Sequence, residues 1–179
     1  NKSLNNFRLS SIDQKVNLLD NLEVDFIITK KFDKTFSKTK SINFIKNILS
    51  NKLKAKFIFV SNNFRFGNKR EGDVKFLTQN EEKYNYQVIK PKPLLVNKKI
   101  VSSSLIRSYL EKGFLEIANK LLNRKWSIEG MVQKGRQVGK KIGFPTCNID
   151  IKDYVLAKPG VYAVRVLRKN TFKILKGIA

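Results

Sequence analysis

The chain has 179 residues, which is enough for one domain or two small ones with a buried core. A hydrophobic fraction of 41% excludes a wholly disordered polypeptide. No apolar run approaches the roughly 20 residues that a membrane span requires, and the single cysteine, Cys147, cannot form an internal disulfide. We therefore expect a cytoplasmic protein without a membrane partner.

The formal net charge is +23, from 37 lysines and arginines against 14 acidic residues. Clustered basic residues indicate a nucleic-acid partner, because they release counterions from phosphate backbones. Here they are spread along the whole sequence, among many asparagines, isoleucines and phenylalanines. This pattern favours a biased composition over a nucleic-acid footprint, which concentrates on one face or one helix. A basic nucleic-acid-binding protein remains an alternative, and a positive field also attracts anionic nucleotides.

The first third of the chain is predicted to alternate between helices and strands. Apolar residues at helical spacing predict helices at about residues 11–22 and 39–51. Asp25 to Thr29 and Phe57 to Val60 are predicted to be buried strands, the second apolar enough for a parallel sheet covered on both faces. This order implies an open α/β sheet whose ligand crevice lies at the carboxyl ends of its strands.

Ser61 to Gly67 directly follows the second predicted strand, so the same rule places this segment in the crevice. Its Asn63 can hydrogen-bond a phosphate, and Phe64 and Phe66 can flank an aromatic ring. Alternatively, the two phenylalanines are ordinary core residues and the asparagine caps a turn. For Arg65, a phosphate contact and a solvated surface position both stay open.

The middle of the chain is predicted to continue with a helix near Glu71 to Tyr84 and a strand at Tyr86 to Lys90. Another helix begins at Ser102 to Ser104, with Arg107 one turn further on. Hydroxyl groups beside the free N–H groups of a helix terminus form a ready anion site. An N-cap serine is the commoner explanation on local grounds.

The pattern changes from helical to extended after the helices. Gly113 is predicted to end one helix, and Phe114 to Leu122 forms a short last one. The predicted strands that follow are Ser127 to Val132, Val161 to Val166 and Phe172 to Leu175, the last two forming a hairpin. We therefore divide the chain into domains at residues 1–124 and 125–179. The second domain is predicted to begin a β-barrel, with an open edge prone to association.

The stretch from Gly130 to Asn148 combines a spaced glycine loop with a Pro-Thr-Cys-Asn turn. The loop glycines allow backbone N–H groups to approach phosphate oxygens, and lysines among them supply charge. These residues are Gly135, Gly139, Lys140, Lys141 and Gly143. Thr146 and Asn148 offer hard oxygen ligands two residues apart, as Mg²⁺ prefers. For the glycines alone, a β-hairpin with a glycine-rich turn is the alternative.

Three of these segments resemble, in the same order, motifs of one family. Gly143-Phe144-Pro145-Thr146-Cys147-Asn148 is similar to the Gly-Phe-Pro-Thr-Ala-Asn end of the ATP and Mg²⁺ loop of riboflavin kinases. Ser61 to Gly67 is similar to a Gly-x-Asn/Asp-Phe-Arg-Phe-Gly segment, and Val101 to Arg107 to an Ile-Ser-Ser-Thr-x-Ile-Arg motif. The chain therefore resembles the prokaryotic bifunctional riboflavin kinase and FMN adenylyltransferase family, the FAD synthetases.

The resemblance implies a Rossmann-like nucleotidyltransferase domain followed by the start of a riboflavin-kinase β-barrel. It implies FAD biosynthesis, in which ATP with Mg²⁺ phosphorylates riboflavin to FMN and a second ATP adenylylates FMN to FAD. It assigns flavin and ATP binding in the first domain to Asn63, Phe64, Arg65, Phe66, Ser102, Ser103, Ser104 and Arg107. It assigns kinase ATP binding to Gly135, Gly139, Lys140, Gly143, Pro145 and Thr146, and the metal to Thr146 and Asn148. The expected partners are riboflavin, FMN and ATP.

Two parts of the family's pattern are missing from this sequence. The adenylyltransferase of the family opens with a Gly-x-Phe-Asp-Gly-x-His-x-Gly-His segment, whereas this chain contains no histidine. The kinase barrel of the family continues to a glutamate that acts as catalytic base, beyond the point matching Ala179. We therefore expect an internal piece of a longer protein, inactive by itself. A noncatalytic flavin- or nucleotide-binding fragment stays open as a further alternative.

Overall fold

The computed structural model describes residues 7–135, 139, 143, 146–168, 171 and 173–179. The chain packs as two compact units, one of Phe26–Ile100 and one of Asn1–Asp25 with Val101–Ala179. The second unit therefore holds residues from both of the domains predicted by sequence. The predicted division after residue 124 concerns sequence domains, and it stays a prediction.

The helices and strands are short. The helices are α1 Ile12–Asp20, α2 Lys34–Ser37, α3 Ser41–Asn43, α4 Val74–Thr78, α5 Glu81–Tyr84, α6 Ser103–Glu111 and α7 Leu115–Leu122, and α3 continues as a π-helix at Phe44–Lys52. The strands are β1 Phe57–Phe59, β2 Arg65–Phe66, β3 Gly72–Asp73, β4 Gln87–Ile89, β5 Leu95–Val96, β6 Lys99–Ile100, β7 Val132–Gln133, β8 Asn148–Ile149, β9 Ala163–Arg168 and β10 Lys173–Ile178. Among the described residues, no helix has the length and apolar character needed to cross a membrane.

The predicted strand at Phe57 to Val60 is confirmed, and it pairs in parallel as expected. β1 pairs with β4 in the register Phe57 to Gln87 and Ile58 to Val88. The N–H group of Val60 extends this ladder by donating to the carbonyl of Ile89, at 3.0 Å. The connection between the two strands contains the β2–β3 hairpin and the helices α4 and α5.

Two predictions about this sheet are wrong. Asp25 to Thr29 forms no strand, and Phe26 is 87% exposed. β1 is not covered on both faces either, since Phe57 is 61% and Phe59 65% exposed. Within the described part of the chain, β4 is the only strand paired with β1, and residues 25–29 have no strand partner. Apolar sequence alone does not order a strand that lacks a hydrogen-bonding neighbour.

The continuous helix predicted near Glu71 to Tyr84 is also wrong, because two polar residues interrupt it. Asp73 belongs to β3, and its side chain caps α4 by accepting from the N–H group of Phe76 at 2.8 Å. Asn80 leaves the helical conformation between α4 and α5. Short polar side chains favour such caps and breaks over helix interiors.

The core of the Phe26–Ile100 unit is built on four buried residues: Ile45, Phe66, Leu77 and Tyr86. The hydroxyl of Tyr86 donates to the carbonyl of Leu77 at 2.7 Å, which satisfies the one polar atom that this ring buries. Burial, helped by the nearby Glu81 carboxylate, raises the pKa of Tyr86 to about 12.

We predict that this unit loses stability in alkali through Tyr86. The hydroxyl ionises near pH 10.0 in the unfolded chain but near 12 in the fold, so the unfolded state loses its proton first. The contribution of Tyr86 to the free energy of unfolding is complete below pH 10.0 and decreases as the pH rises toward about 12. Urea unfolding followed by circular dichroism, below and above the lower pKa, should give a shallower pH slope for Tyr86→Phe. Equal slopes in the wild-type protein and in Tyr86→Phe would contradict the prediction.

The core of the other unit joins residues that are distant in sequence. Helices α6 and α7 contribute Ile106, Leu110, Ala118 and Leu121, and Val155 packs against them with 1% of its surface exposed. Trp126 and Leu9 lie at the edge of this cluster, and the indole N–H group donates to the Leu9 carbonyl at 3.0 Å. The segment that follows β8 is therefore anchored to the helix pair.

A buried hydrogen-bond network around Gln14 links the same parts of this unit. Its Nε2 donates to the carbonyl and the hydroxyl of Ser127 at 3.0 and 3.1 Å. Its Oε1 accepts from the N–H group of Ser11 at 2.8 Å and lies 3.0 Å from the hydroxyl of Tyr154. With 4% of Gln14 exposed, these bonds compensate for the loss of water around its amide.

This network explains why a strand predicted at Ser127 to Val132 begins only at Val132. The carbonyl of Ser127 accepts from Gln14, and the N–H group of Glu129 donates to the Tyr154 hydroxyl at 3.1 Å. Backbone groups bound to side chains in this way do not pair with a neighbouring strand. The prediction is therefore wrong for residues 127–131.

The predicted hairpin near the C-terminal end of the sequence is confirmed. β9 and β10 pair antiparallel, with Arg168 opposite Lys173 and Ala163 opposite Ile178. β9 begins later than the alternation indicated, at Ala163, and Phe172, the predicted start of the other strand, lies outside the described residues. The barrel to which the hairpin was assigned stays a prediction.

We predict that Val155→Ala lowers the free energy of unfolding of its unit by about 1–3 kcal/mol, because it leaves a cavity in a closed core. Trp126 is the sole tryptophan and lies against this core, so its fluorescence during urea unfolding reports on this unit. Val161→Ala is the control, since 83% of that residue is exposed. Similar midpoints for the two variants would argue against the anchoring role of Val155.

Candidate functional site

The segment Ser61 to Gly67 follows β1 directly, as the sequence predicted. The hydroxyl of Ser61 donates to Oδ1 of Asn63 at 2.8 Å, and the N–H group of Phe64 donates to the Ser61 carbonyl at 3.0 Å. The chain therefore turns tightly at the carboxyl end of the strand, and the turn fixes the Asn63 side chain. Hydrogen bonding of Asn63 to a phosphate stays a prediction.

Phe64 and Phe66 stack on each other but differ in burial. Their ring centroids are 5.5 Å apart with 15° between the planes, and Phe66 also packs beside Phe44 and Phe76. Only 7% of Phe66 is exposed, whereas Phe64 is half-buried. Phe66 thus occupies the core position that the sequence left open as an alternative. A flavin contact by either ring stays a prediction, and Phe64 has the more accessible surface for it.

Arg65 faces Asp73 across the β2–β3 hairpin. Its Nη1 donates to Oδ2 of Asp73 at 3.0 Å, with 47% of the arginine and 36% of the aspartate side chain exposed. Asp73 uses its other oxygen to cap α4. An ion pair this exposed contributes at most about 1 kcal/mol to stability, but it orients the guanidinium.

The β2–β3 hairpin rests closely on the buried Ser41. A methyl group added to Gly67 or Gly72 would lie 2.8 Å from atoms of Ser41, and Gly67 also has a φ of +78°, which favours glycine. The carboxylate of Glu71 accepts from the N–H group of Ser41 at 2.7 Å. The sequence did not predict this contact between Ser41 and Glu71, because the two residues are 30 positions apart and form no motif.

At the start of α6 the three serines have different roles. The hydroxyl of Ser102 accepts from the N–H group of Leu105 at 3.2 Å, which is the N-cap that local reasoning favoured. Ser103 and Ser104 lie in the first turn and are exposed. Arg107 donates from Nε to the carbonyl of Phe7 at 2.6 Å, which orients its guanidinium. Binding of a triphosphate here stays a prediction.

The glycine loop is described only in part. Lys140, Lys141 and Pro145 lie outside the described residues, so the structure does not test their predicted positions. On either side of the loop, β7 and β8 pair antiparallel, with Gln133 opposite Asn148. This pairing agrees with the hairpin that the sequence left open as an alternative.

The β7–β8 pairing brings Gly135 against Asn148. A methyl group added to Gly135 would lie 2.1 Å from Nδ2 of Asn148, so only glycine fits there without moving the amide. Thr146 and Asn148 are both exposed, and Gly143 has a φ of +84°. Asp150 follows Asn148 by two residues, and the hydrogen bond that its carboxylate accepts from the N–H group of Lys152 lowers its pKa. Within the described ranges, no cluster of three or more cysteine, aspartate or glutamate side chains is placed to hold a metal ion.

The predicted site residues fall into separate groups. Asn63 to Phe66 belong to the Phe26–Ile100 unit, whereas the α6 serines and the glycine loop belong to the other. Two cavities of about 330 and 310 Å³ adjoin the Gln14 network, and none of the described residues that line them is a predicted site residue. The groups are built on a turn, a helix terminus and a strand pair.

The fold and these groups define a mixed helix and strand protein with predicted phosphate-binding residues in two successive segments. The family described as FAD synthetase matches residues 1–105, and the family described as riboflavin kinase matches residues 122–179. The first match covers more than half of the 179 residues. The chain belongs to the FAD synthetase family, and a riboflavin kinase domain follows its nucleotidyltransferase-type domain.

Curated relatives share both segments. The bifunctional riboflavin kinase/FMN adenylyltransferase of Buchnera aphidicola subsp. Schizaphis graminum is 41% identical over 89% of this chain and 51% of the relative. That of Escherichia coli strain K12 is 34% identical over 96% of this chain and 55% of the relative. The chain spans about half the length of the curated relatives it matches.

Solved structures with a similar fold include one that covers most of this chain. It is described as a macrolide-efflux protein from Streptococcus pneumoniae, with a TM-score of 0.77 over 95% of this chain and 54% of that one. The two sequences are 23% identical, so the likeness concerns the fold alone.

We predict that Gly72→Ala disrupts the hairpin that carries Arg65. The new methyl group would lie 2.8 Å from the Phe66 ring and from Ser41, and such overpacking costs about 1–3 kcal/mol. Hydrogen exchange should accelerate at the amides of β2 and α4. Gly160→Ala is the matched control, because its methyl group would meet only ordinary contacts of 3.7 Å. Unchanged exchange in Gly72→Ala would show that the hairpin tolerates the displacement.

Proposed function

We propose that this chain is part of a bifunctional enzyme of FAD biosynthesis, which phosphorylates riboflavin to FMN and adenylylates FMN to FAD. The observation that carries the proposal is the succession of the two family matches, residues 1–105 and 122–179, in one chain. The names of the relatives combine the same two activities. The substrates would be riboflavin, FMN and ATP.

In the kinase step, the γ-phosphoryl group of ATP passes to the ribityl 5′-hydroxyl of riboflavin. The glycine loop supplies backbone N–H groups to the phosphates, so that positioning and charge neutralisation provide most of the catalysis. The close approach of Gly135 to Asn148 supports this role, because it brings the two ends of the loop together.

The donor set of Thr146 and Asn148 fits Mg²⁺. Both side chains are exposed and offer neutral oxygens, and the ion commonly completes its shell with water and substrate phosphate oxygens. When bound, Mg²⁺ would neutralise the charge on those phosphates. Thr146 and Asn148 would hold it, and they would thereby align the phosphate tail of ATP with the loop.

In the adenylyl transfer, an FMN phosphate oxygen attacks the α-phosphorus of ATP, and the bond to the β-phosphate oxygen breaks to release pyrophosphate. Ser103, Ser104 and Arg107 would stabilise the charge that develops on the pyrophosphate side. Ser103 and Ser104 are exposed in the first turn of α6, where N–H groups are unpaired, and Arg107 lies one turn further on, which supports this role. Asn63 would orient the phosphates.

We also propose the finer features of the fold and its location. The parallel β1–β4 pair supports a Rossmann-like sheet, and the β9–β10 hairpin supports the start of a kinase barrel. The cytoplasmic location inferred from the sequence stays a prediction.

The proposal is tested by riboflavin turnover with ATP and Mg²⁺, with FMN and FAD resolved, on this chain and on the full reading frame that contains it. In the protein that makes FMN, Thr146→Ala should lower the kinase rate by about 100-fold or more, because it removes a metal ligand. Cys147→Ala is the control, since alanine stands there in the family pattern, and it should keep the rate.

Two outcomes would contradict this function. Unchanged kinase turnover in Thr146→Ala would refute the metal role of the threonine. Absence of FMN and FAD from both proteins, together with steeply salt-dependent binding to generic DNA, would instead support the basic nucleic-acid-binding alternative.

A further inference from the structure

The carboxylate of Asp73 connects the two ends of a short structural unit. Oδ1 accepts from the N–H group of Phe76 at 2.8 Å and caps α4, while Oδ2 lies 3.0 Å from Nη1 of Arg65. The two residues are also direct partners in the β2–β3 register. One side chain therefore fixes both the helix start and the guanidinium.

The described contacts of Arg65 use only Nη1, so Nε and Nη2 have no partner among the described residues. A guanidinium presents several N–H donors in a planar fork that matches phosphate oxygens. Without a partner, the long side chain samples many rotamers, and ordering it costs free energy when a ligand binds. The bond to Asp73 removes part of that cost in advance.

The net charge of the hairpin favours binding of an anion, although the hairpin carries two carboxylates. Residues 65–73 contain three cations, Arg65, Lys69 and Arg70, against Glu71 and Asp73. Glu71 is engaged by the N–H group of Ser41 at 2.7 Å. The hairpin thus keeps a net positive charge. Its close packing against Ser41 holds the backbone of Arg65 in place.

We propose that Asp73 is a positioning residue that holds Arg65 for the phosphate group of FMN. This inference rests on the proposed function, since it takes FMN as the ligand of the segment matched by the FAD synthetase family. It adds a residue outside the three sequence motifs, and it favours the phosphate contact over the solvated surface position, the two alternatives that the sequence left open for Arg65.

The test measures binding of FMN and of riboflavin to this chain by quenching of flavin fluorescence. Asp73→Asn keeps a cap for α4, because asparagine caps as well as aspartate, but it presents an amide N–H group to Arg65. We expect it to weaken FMN binding about threefold to fivefold and to leave riboflavin binding unchanged, because riboflavin lacks the phosphate.

Two further variants separate positioning from general effects. Arg65→Ala should weaken FMN binding at least as much, and adding Asp73→Asn to it should weaken binding no further, since the aspartate acts through the arginine. Asp153→Asn is the matched control. It removes the same charge from an exposed ion pair, with Arg8 at 3.2 Å in the other unit, and should leave FMN binding unchanged.

The outcomes separate this inference from the function on which it rests. If the wild-type chain binds FMN and Asp73→Asn binds it equally well, the positioning role is refuted and the proposed function stands. Equal loss of FMN and riboflavin binding in Asp73→Asn would also refute it, because a structural effect does not select for the phosphate. If the wild-type chain binds neither flavin, the flavin-binding assignment of this segment fails, and the inference fails with it.

Discussion

The buried amide of Gln14 is the interaction on which one of the two units depends. An unpaired amide at this depth would cost several kcal/mol, so its partners must stay in place. Those partners, Ser11, Ser127 and Tyr154, come from three parts of the chain. The network therefore holds together residues matched by the FAD synthetase family and residues matched by the riboflavin kinase family. The burial of Val155 among α6 and α7 adds an apolar contact between the segment matched by the riboflavin kinase family and the helices that precede it.

The other unit depends on a close contact instead of a polar network. The β2–β3 hairpin reaches its position only because Gly67 and Gly72 let the backbone approach Ser41. The Glu71 carboxylate accepts a hydrogen bond from the N–H group of Ser41. Phe66, from the same hairpin, packs into the aromatic core. The hairpin that presents Arg65 is thus held by packing on one side and by the Asp73 carboxylate on the other. Such double support is what a binding side chain on a short hairpin requires, since two-residue strands have little stability of their own.

The candidate sites all offer polar groups that suit phosphate, but each presents them on a different structural element. The α6 terminus presents hydroxyls beside unpaired N–H groups, whereas the β7–β8 pair places Gly135 against the Asn148 amide. The hairpin presents an oriented guanidinium. All three suit phosphate groups, which are common to FMN and ATP, and this agrees with a proposed pathway of two successive phosphate transfers. The flavin ring makes a different demand, for which Phe64 offers the more accessible aromatic surface.

The sequence by itself determined the features that depend on neighbouring residues. The Ser102 cap of α6, the parallel strand at Phe57 and the C-terminal hairpin follow from short-range patterns, and the motifs within residues 61–67, 101–107 and 143–148 indicated the family. Only the tertiary structure decided the rest. The apolar segment at residues 25–29 forms no strand because the described chain gives it no partner, and Ser127 leaves its predicted strand because Gln14 binds its carbonyl. Ser41, Asp73 and Val155 acquire their roles from contacts with residues distant in the chain or across a hairpin, and local patterns do not encode such contacts.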